Sequence, residues 1–465
     1  MNLIAEHYDN IAAKRDKYRK RNRYYHSLLN KQYRYFIPEY KKVLEVGCST
    51  GNLLNFLKPS VGVGVDISVE MLKIARSKYP HLQFQDGEID DLKTDEKFNF
   101  IVLSGLIGEI EDIQSFLESL RRFSKEDTRL VIEYFSYFWQ SILKIAEHLH
   151  LKIPQRTQNW VTSQDLKNFL ILAGYDFIKI ERCILFPKNI PVLSFLINKI
   201  IAKLPFFNLF CLSNFVVARP IFPRHQEYST TILVPCRNEK GNIEQAITRT
   251  PAFGSAQEFI FVEGHSRDGT YEEVERVMKK YPEKDIKLYR QAGKGKGDAV
   301  RLGFSKATKD ILMILDADLT VPPEELPKFY RAIRDNSGEF INGSRLVYPM
   351  EKESMQFLNL IANKCFGLFF SWLLGQRFKD TLCGTKVMFR HHYEELAANR
   401  AYFGDFDPFG DFDLIFGATK MNLKIIELPI HYKSRQYGTT QIQRFQHGLL
   451  LLRMCMFAMR KIKFI

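Results

Sequence analysis

Residues 43–57 read VLEVGCSTGNLLNFL, which is a short apolar strand, a glycine turn and an amphipathic helix. A strand, a turn and a helix in this order form the repeating unit of parallel α/β sheets. The same alternation recurs on both sides of the chain's middle, with strands predicted at 42–47, 61–68, 98–105, 129–135, 230–236, 258–264, 310–319 and 339–345. The pattern predicts an α/β protein with two sheets, one in each half.

The chain of 465 residues is too long for one ordinary domain. A stretch rich in proline and charge, ARPIFPRHQEYST (218–230), separates the two halves. We therefore predict an N-terminal domain over 1–219, a linker over 220–229 and a C-terminal domain over 230–465. The seven cysteines are scattered without a Cys-x-x-Cys pair, and the N-terminus lacks the apolar core of a signal peptide, so we expect a cytoplasmic protein.

The formal net charge of +14 is concentrated at the two ends of the chain. Residues 1–42 hold eleven Lys or Arg against four Asp or Glu, and residues 424–465 hold eight against one. Such ends suit an anionic membrane surface, a solvated helix face or nucleic acid. Because the chain has neither a glycine–aromatic RNA signature nor zinc-finger spacing, we expect no nucleic-acid partner.

Three apolar stretches, 190–212, 355–375 and 448–465, are interrupted by Lys, Arg, Asn or Pro. They are too broken to span a membrane, which needs about 18 to 20 apolar residues. We expect the first stretch to form buried core helices. The other two are predicted to be amphipathic helices that lie on a membrane surface.

The glycine turn of the first half has the features of a nucleoside site. Gly47 and Gly51 let the backbone turn tightly beneath the positive end of the following helix. Asp66 lies at the tip of the second predicted strand, where a carboxylate can hold both hydroxyls of a ribose.

This half resembles the class I S-adenosylmethionine-dependent methyltransferases, whose first motif reads Glu-x-Gly-x-Gly-x-Gly. The resemblance covers roughly residues 1–219 and includes FQDGEIDDL (84–92). It implies a Rossmann-like sheet that binds S-adenosylmethionine through Glu45, Gly47, Gly51, Asp66 and Asp86, with Asp86 on the adenine amine. Two positions depart from the family pattern: Ser49 stands for the middle glycine and Asn99 for the aspartate that opens the fourth strand.

Two other interpretations of the first half stay open. A dinucleotide oxidoreductase would use a similar turn, although the preferred triple glycine of that family is missing. A domain that has lost catalysis could serve as a scaffold or a membrane-docking platform. The methyl acceptor cannot be read from these residues.

In the second half, ILMILDADLT (311–320) ends an apolar strand on Asp316 and Asp318. Neighbouring carboxylates repel each other unless a cation lies beside them. Other strand-tip loops carry Glu239, Glu263 and the glycine–lysine stretch KGKGDA (294–299), so acids for hydroxyl groups and lysines for phosphates converge on one crevice. Oxygen ligands on such a loop suit magnesium or manganese beside a nucleotide diphosphate.

Residues 229–445 closely resemble the family 2 glycosyltransferases of the GT-A fold, in particular the polyprenyl-phosphate (dolichol-phosphate mannose-type) enzymes. The resemblance places Asp316 and Asp318 at the metal and the diphosphate, and Arg345 near the substrate phosphates. It assigns the nucleotide sugar to Pro235, Glu239, Glu263, Lys296 and Asp298. DTLCGTK (380–386) and HYKSRQYGTT (431–440) would line the acceptor side.

Two stretches depart from the glycosyltransferase pattern. EGHS (263–266) replaces the common Asp-Asp-Gly-Ser, which leaves open whether the nucleotide is UDP or GDP. QIQRF (441–445) is similar to a motif of processive synthases but has Phe445 instead of tryptophan, and we interpret it as a coincidence.

The acceptor is predicted to be a polyprenyl phosphate, which is already anionic and can attack without a dedicated base. Arg435, with Lys386 and Lys433, would contact that phosphate. Alternatively, a saccharide hydroxyl would be the acceptor, and Asp411 or Asp413 would be its base. The acids of GDFDPFGDFDLIFGA (404–418) could instead cap a helix that begins near Phe412.

The sequence thus predicts a metal-dependent, inverting glycosyltransferase fused to a methyltransferase, peripheral on the cytoplasmic face of a membrane. Its catalytic candidates are Asp318, Asp411, Asp413 and Arg435. The alternative is a glycosyltransferase that acts on a saccharide hydroxyl, with an N-terminal scaffold that has no catalytic role.

Overall fold

A computed structural model describes residues 3–153, 159–224, 226–348, 357–402, 410–435, 437–438 and 452–464. The chain forms two compact units, residues 1–222 with 464–465 and residues 223–463. Each unit is an α/β domain built on one seven-stranded sheet, which confirms the predicted fold class.

The first domain surrounds a sheet whose strand order is β3-β2-β1-β4-β5-β7-β6. Its strands are β1 Lys42–Val46, β2 Val61–Asp66, β3 Gln83–Asp86, β4 Phe100–Ser104, β5 Arg129–Phe135, β6 Tyr175–Cys183 and β7 Ser213–Pro220. Its helices are α1 Leu3–Arg21, α2 Arg23–Phe36, α3 Asn52–Leu57, α4 Val69–Lys78, α5 Ile113–Ser119, α6 Gln140–His148, α7 Ser163–Leu172, α8 Leu193–Lys199 and α9 Pro205–Asn208.

The five strands β1 to β5 are parallel, while β7 runs antiparallel to both β5 and β6. The inner parallel strands β1, β4 and β5 are mostly buried, whereas the edge strand β3 is polar and partly exposed. Leu44, Ile101 and Ile132 are fully buried at the centre of this core. The chain order reverses between β1 and β4, and open α/β sheets bind ligands at the carboxyl ends of strands beside such a reversal.

The second domain has the strand order β10-β9-β8-β11-β13-β12-β14. Its strands are β8 Thr230–Cys236, β9 Gln257–Glu263, β10 Asp285–Arg290, β11 Ile311–Ile314, β12 Phe340–Ser344, β13 Lys386–Phe389 and β14 Ile425–Pro429. Its helices are α10 Ile243–Thr248, α11 Thr270–Lys280, α12 Lys296–Lys306, α13 Leu326–Arg334, α14 Phe357–Leu374, α15 Arg390–Ala398 and α16 Asp411–Lys420.

Strand β13 runs antiparallel between β11 and β12, so the second sheet is mixed rather than parallel throughout. Strands β10, β9, β8 and β11 are parallel and bring their carboxyl ends to one edge. Strand β11 ends at Ile314, earlier than predicted, so Asp316 and Asp318 lie in the loop that follows it.

The apolar stretch 190–212 does not form the buried core helices that we predicted. Val192 is 72% exposed and Phe206 is 66% exposed, and most of the large apolar side chains around them are also exposed. The helices there are short, and their polar residues Ser194 and Asn198 are the buried ones. The expectation was wrong because composition does not tell which face of a helix is turned inward.

The two predicted membrane-surface helices of the second domain are partly packed into its core. In α14, the Phe370 ring stacks on Phe416 with centroids 5.6 Å apart, while Leu368 is exposed. Residues 452–458 are helical and continue into a π-helix over Met459–Lys463. None of the helices in the described ranges is long and apolar enough to cross a membrane.

Candidate active sites

The first domain contains a cavity of about 900 Å³ at the carboxyl ends of its central parallel strands. The wall includes Glu45 on β1, Gly47 after it, Asp66 at the end of β2 and Glu133 on β5. Helices α1 and α2 line another side of it through residues such as Arg15 and Tyr25. The cavity therefore lies where the glycine turn and the tip acid were predicted to bind a nucleoside.

The turn after β1 has the backbone that such a site requires. Gly47 and Gly51 have φ values of +72° and +71°, in the left-handed region that glycine adopts without strain. Ser49, which replaces the middle glycine of the motif, has φ +51°, and its N–H donates to Asp66 Oδ2 at 2.7 Å. The N–H of Ser68 donates to Asp66 Oδ1 at 2.9 Å, so one carboxylate ties the turn to the second strand tip.

Asp86 does not line the cavity. Its carboxylate, at the end of β3, lies 3.3 Å from Arg76 Nη2 and is exposed. Residues 87–90 line the cavity instead, and among them Glu88 carries a carboxylate. The structure thus does not support the predicted adenine contact by Asp86, and it brings forward Glu88 from the same sequence stretch.

Two buried acids face the cavity, and sequence reasoning found only one of them. Burial raises the pKa of Glu45 to about 8 and that of Glu133 to about 7. Glu45 Oε2 and Glu133 Oε1 have no hydrogen-bond partner within the described residues. Each of these two oxygen atoms can accept a hydrogen bond from a ligand. The signal for Glu133 was its place near the carboxyl end of a predicted strand.

In the second domain, Lys296 at the start of α12 pairs with the first of the two tip aspartates. Its Nζ lies 2.5 Å from Asp316 Oδ1 and 3.9 Å from Asp411 Oδ1. Burial disfavours the charged lysine, but the two carboxylates outweigh that effect and raise its pKa. Lys296, which was predicted to bind phosphate, therefore lies directly beside Asp316, which was predicted to bind the metal ion.

Arg435 links the acids of two strand-tip loops. Its Nη1 donates to Glu239 Oε1 at 2.7 Å and its Nη2 to Asp318 Oδ2 at 2.6 Å. Burial raises the pKa of Glu239 to about 7 even though Arg435 acts in the opposite direction. Thr320 donates to Asp318 Oδ1 through its hydroxyl at 2.8 Å. Arg435 thus lies within the acid-lined crevice.

Three other predicted nucleotide-sugar residues shape the loops of this crevice. Glu263, the last residue of β9, accepts from the N–H of Ser266 and lies 3.3 Å from Arg290 Nε. Asp298 accepts from the N–H of Gly293 at 3.1 Å and so closes the glycine–lysine loop on itself. Pro235 lies within β8, one residue before its end.

Arg345 forms a bidentate pair with Asp380, an acid that sequence reasoning did not single out. Arg345 Nε and Nη2 donate to the two carboxylate oxygens at 2.7 and 2.8 Å, and the Asp380 side chain is fully buried. The signal was present in the DTLCGTK stretch, which begins with Asp380. The structure therefore gives Arg345 an internal partner in addition to any substrate phosphate.

Asp411 and Asp413 lie in the first turn of α16 and are buried there. The helix begins at Asp411 after Gly410, so Asp411 and Asp413 lie inside the helix and not at its N-cap position, while residues 403–409 with their acids lie outside the described ranges. Asp411 Oδ1 is 3.0 Å from Lys386 Nζ, and Asp413 Oδ2 is 3.0 Å from Arg400 Nε. Each carboxylate is thus held by a cation.

Lys386 was expected on the acceptor side, but its side chain is buried. Its Nζ donates to the carbonyl of Cys383 and pairs with Asp411. Lys386 therefore belongs to an internal charge pair. Residues 436 and 439–445, which include QIQRF and part of the predicted acceptor side, lie outside the described ranges.

The donor set of the loop after β11 fits a hard divalent ion. Asp316 and Asp318 present carboxylate oxygens from a single loop, and magnesium commonly takes one or two carboxylates together with water and substrate phosphates. In the structure Lys296 and Arg435 balance the charge of these acids. A divalent ion at this loop would replace these two side chains as the partner of Asp316 and Asp318.

Two family models match the chain. The glycosyl transferase family 2 model matches residues 231–397, and a methyltransferase domain model matches residues 17–180. The matched ranges include the glycine turn and Asp66 of the first domain and the loops after β8, β9 and β11 of the second.

Two curated relatives are similar to part of this chain. A dolichol-phosphate mannosyltransferase of Pyrococcus furiosus is 34% identical over 136 residues, which are 29% of this chain and 38% of that protein. A dolichol-phosphate mannosyltransferase of Saccharomyces cerevisiae is 36% identical over 124 residues, which are 26% of this chain and 45% of that protein. The chain thus spans less than half the length of these relatives.

Among solved structures, an S-adenosylmethionine-dependent methyltransferase from Thermotoga maritima is similar to this chain. It is 14% identical with a TM-score of 0.38, and the match covers 47% of this chain and all of the other.

Proposed function

Because this chain joins a methyltransferase domain to a family 2 glycosyltransferase domain, we propose that it is a bifunctional enzyme of lipid-linked sugar metabolism. The second domain would transfer a sugar, with inversion, from a nucleotide diphosphate sugar to a polyprenyl phosphate. The first domain would bind S-adenosylmethionine and transfer its methyl group. The proposed boundaries are 1–219 and 230–465, joined by a linker over 220–229.

The charge pairs of α16 are the observation that carries the choice of acceptor. Asp411 and Asp413 are buried and held by Lys386 and Arg400. A general base must be free to take a proton from its substrate. A phosphate monoester is already anionic near neutral pH, so it needs no such base. This favours a lipid phosphate over a saccharide hydroxyl.

Magnesium or manganese, held by Asp316 and Asp318, would neutralise the diphosphate of the leaving nucleotide. Lys296 would add a positive charge from the start of α12. Arg435 would orient the acceptor phosphate. To do so, its guanidinium would leave Glu239 and Asp318 and bind the phosphate instead. We propose that the enzyme is peripheral on the cytoplasmic face of a membrane, where such lipids are found.

The transfer reaction is tested with a radiolabelled nucleotide sugar, a short-chain polyprenyl phosphate and manganese. We expect the label to enter a product that is soluble in organic solvent and labile to mild acid. Transfer of label only to a water-soluble saccharide would contradict the proposal and establish a hydroxyl acceptor.

Replacement of Arg435 by alanine is expected to raise the KM for the polyprenyl phosphate by about 10-fold or more. The reason is the loss of a charge-assisted hydrogen bond to phosphate, worth roughly 1.5 to 3 kcal/mol. The Kd of the nucleotide sugar, measured by calorimetry, should change less. An equal loss for both substrates would mean that Arg435 only neutralises Glu239 and Asp318.

Replacement of Asp66 by alanine is expected to weaken the binding of S-adenosylmethionine by at least about 100-fold. The variant loses the carboxylate for the ribose and the two N–H bonds that hold the turn, each worth roughly 1 kcal/mol or more. Calorimetry on the full chain measures the change.

Glu118→Ala, which removes an exposed carboxylate of α5, is the matched control for the Asp66 variant and should bind normally. Absence of heat with the folded wild-type protein would refute a cofactor role of the cavity. The first domain would then be a scaffold.

A further inference from the structure

The first domain carries a large exposed apolar surface formed by residues 137–149 and 190–210. Of the 27 large apolar side chains that are exposed in the described part of the chain, sixteen lie in these two segments. Exposed apolar patches of this extent mark interaction sites in soluble proteins. The members are Tyr137, Phe138, Ile142, Ile145, Leu149, Ile190, Val192, Leu193, Phe195, Leu196, Ile200, Leu204, Phe206, Phe207, Leu209 and Phe210.

The two segments form one continuous surface. The Phe138 and Phe210 rings lie 5.8 Å apart, and the Phe206 and Phe210 rings 5.5 Å apart. Trp139 Nε1 donates to the carbonyl of Phe210 at 2.8 Å, which fixes the start of α6 against the end of the second segment.

The amphipathicity of α8 is inverted relative to a helix on a protein core. Its buried residues, Ser194 and Asn198, are polar. Asn198 Oδ1 accepts from the N–H groups of Leu185 and Phe186 at 2.9 Å each, and Ser194 Oγ donates to the carbonyl of Lys188 at 2.7 Å. The buried polar side chains of α8 are thus hydrogen-bonded to the backbone, while its apolar side chains are exposed. An apolar medium outside the protein explains this arrangement.

The charged residues near the apolar surface indicate which apolar medium it contacts. Residues 184–212 include three lysines and no acidic residue. Lys199 is exposed on α8 and Lys144 is exposed on α6. The acid of α6, Glu147, is paired with Lys152 at 2.5 Å. Lysines beside exposed apolar side chains match a membrane surface with anionic head groups.

From these observations we propose that residues 137–149 and 190–210 dock the methyltransferase domain on a bilayer that contains anionic lipid. Trp139, which precedes α6, and Ile142, Leu143 and Ala146 of α6 also line the cavity. Docking would therefore place the cavity beside the lipid head groups. The inference rests on the surface of the first domain and does not depend on sugar transfer.

The test uses the full chain without substrates and sedimentation with two kinds of vesicle. One is pure phosphatidylcholine, and the other contains about a third phosphatidylglycerol. The triple variant Val192→Ser, Phe195→Ser, Phe206→Ser removes three exposed apolar side chains and should reduce vesicle binding at least tenfold. Ile171→Ser with Leu172→Ser, two exposed apolar residues of α7 outside this surface, is the matched control and should bind like the wild type.

Lys199→Gln separates the electrostatic contribution. We expect it to reduce binding to the anionic vesicles about fivefold, in line with the contribution of one lysine near an anionic surface, and to leave binding to neutral vesicles unchanged. Undiminished binding of the triple variant to both vesicles would overturn the proposal. A wild-type dimer that the triple variant dissociates, without vesicle binding by either protein, would also overturn it and assign the surface to a second copy of the chain.

Discussion

Replacement of Asp318 by alanine is expected to lower kcat/KM for sugar transfer about 1000-fold or more while leaving the fold intact. Asp318 lies in a loop beyond the end of β11, and its carboxylate contacts Arg435 and Thr320 rather than the core. Its removal takes away a proposed ligand of the divalent ion and the partner that holds Arg435. A 1000-fold loss corresponds to about 4 kcal/mol of transition-state stabilisation, a reasonable share for charge neutralisation at a phosphate.

Steady-state transfer assays and circular dichroism of the purified variant measure the two parts of this expectation. Asp335→Ala removes an exposed carboxylate that pairs with Arg334 in the same domain and should retain activity. Asp318→Asn keeps the shape of the side chain and should still lose most activity, because the charge is what the ion requires. Activity within threefold of wild type in Asp318→Ala, or in excess chelator, would remove the metal from the proposal.

Replacement of Asp380 by alanine is expected to destabilise the second domain by about 3 to 5 kcal/mol. The side chain is fully buried, and both of its oxygens accept from Arg345. Its loss would leave the largely buried guanidinium of Arg345 without its carboxylate partner, and the backbone N–H groups of Arg345 and Leu382 would each lose an acceptor. The unpaired charge makes this truncation more costly than an ordinary core substitution.

Denaturant unfolding, monitored by hydrogen exchange of the amides in β12 and β13, measures the loss of stability in the second domain. The double variant Arg345→Met, Asp380→Leu removes both charges and should recover most of the lost stability, since an apolar pair of similar size has no desolvated charge. If Asp380→Ala unfolds at the same denaturant concentration as the wild type, the Arg345–Asp380 pair does not stabilise the second domain, and the prediction is wrong.

The sequence alone was sufficient for the two α/β domains. Parallel strands are short, apolar and followed by amphipathic helices, so β1, β2, β4, β5, β8, β9, β11 and β12 leave a local pattern. Strands β3, β6, β7, β10, β13 and β14 were missed. Strand β13, for example, is a four-residue antiparallel insertion that exists because β11 and β12 pair with its two sides.

The sequence also indicated which residues stand at strand tips, because a glycine turn or a pair of acids after an apolar run is a local signal. Gly47, Asp66, Glu239 and Asp318 were found in this way, and the structure places them at the two candidate sites. Their chemical roles remain predictions.

Only the tertiary structure decided how the charges are paired. Arg435 meets Asp318 from 117 positions further along the chain and Glu239 from 196. Lys386 turned inward to Asp411, away from the acceptor. The exposure of the apolar side chains in residues 190–210 could not be predicted from the sequence either. Composition shows how apolar a segment is, but not which of its faces packs on the core. Ion pairs and burial depend on distances between elements that are remote in sequence, and those distances exist only once the sheets and helices have packed.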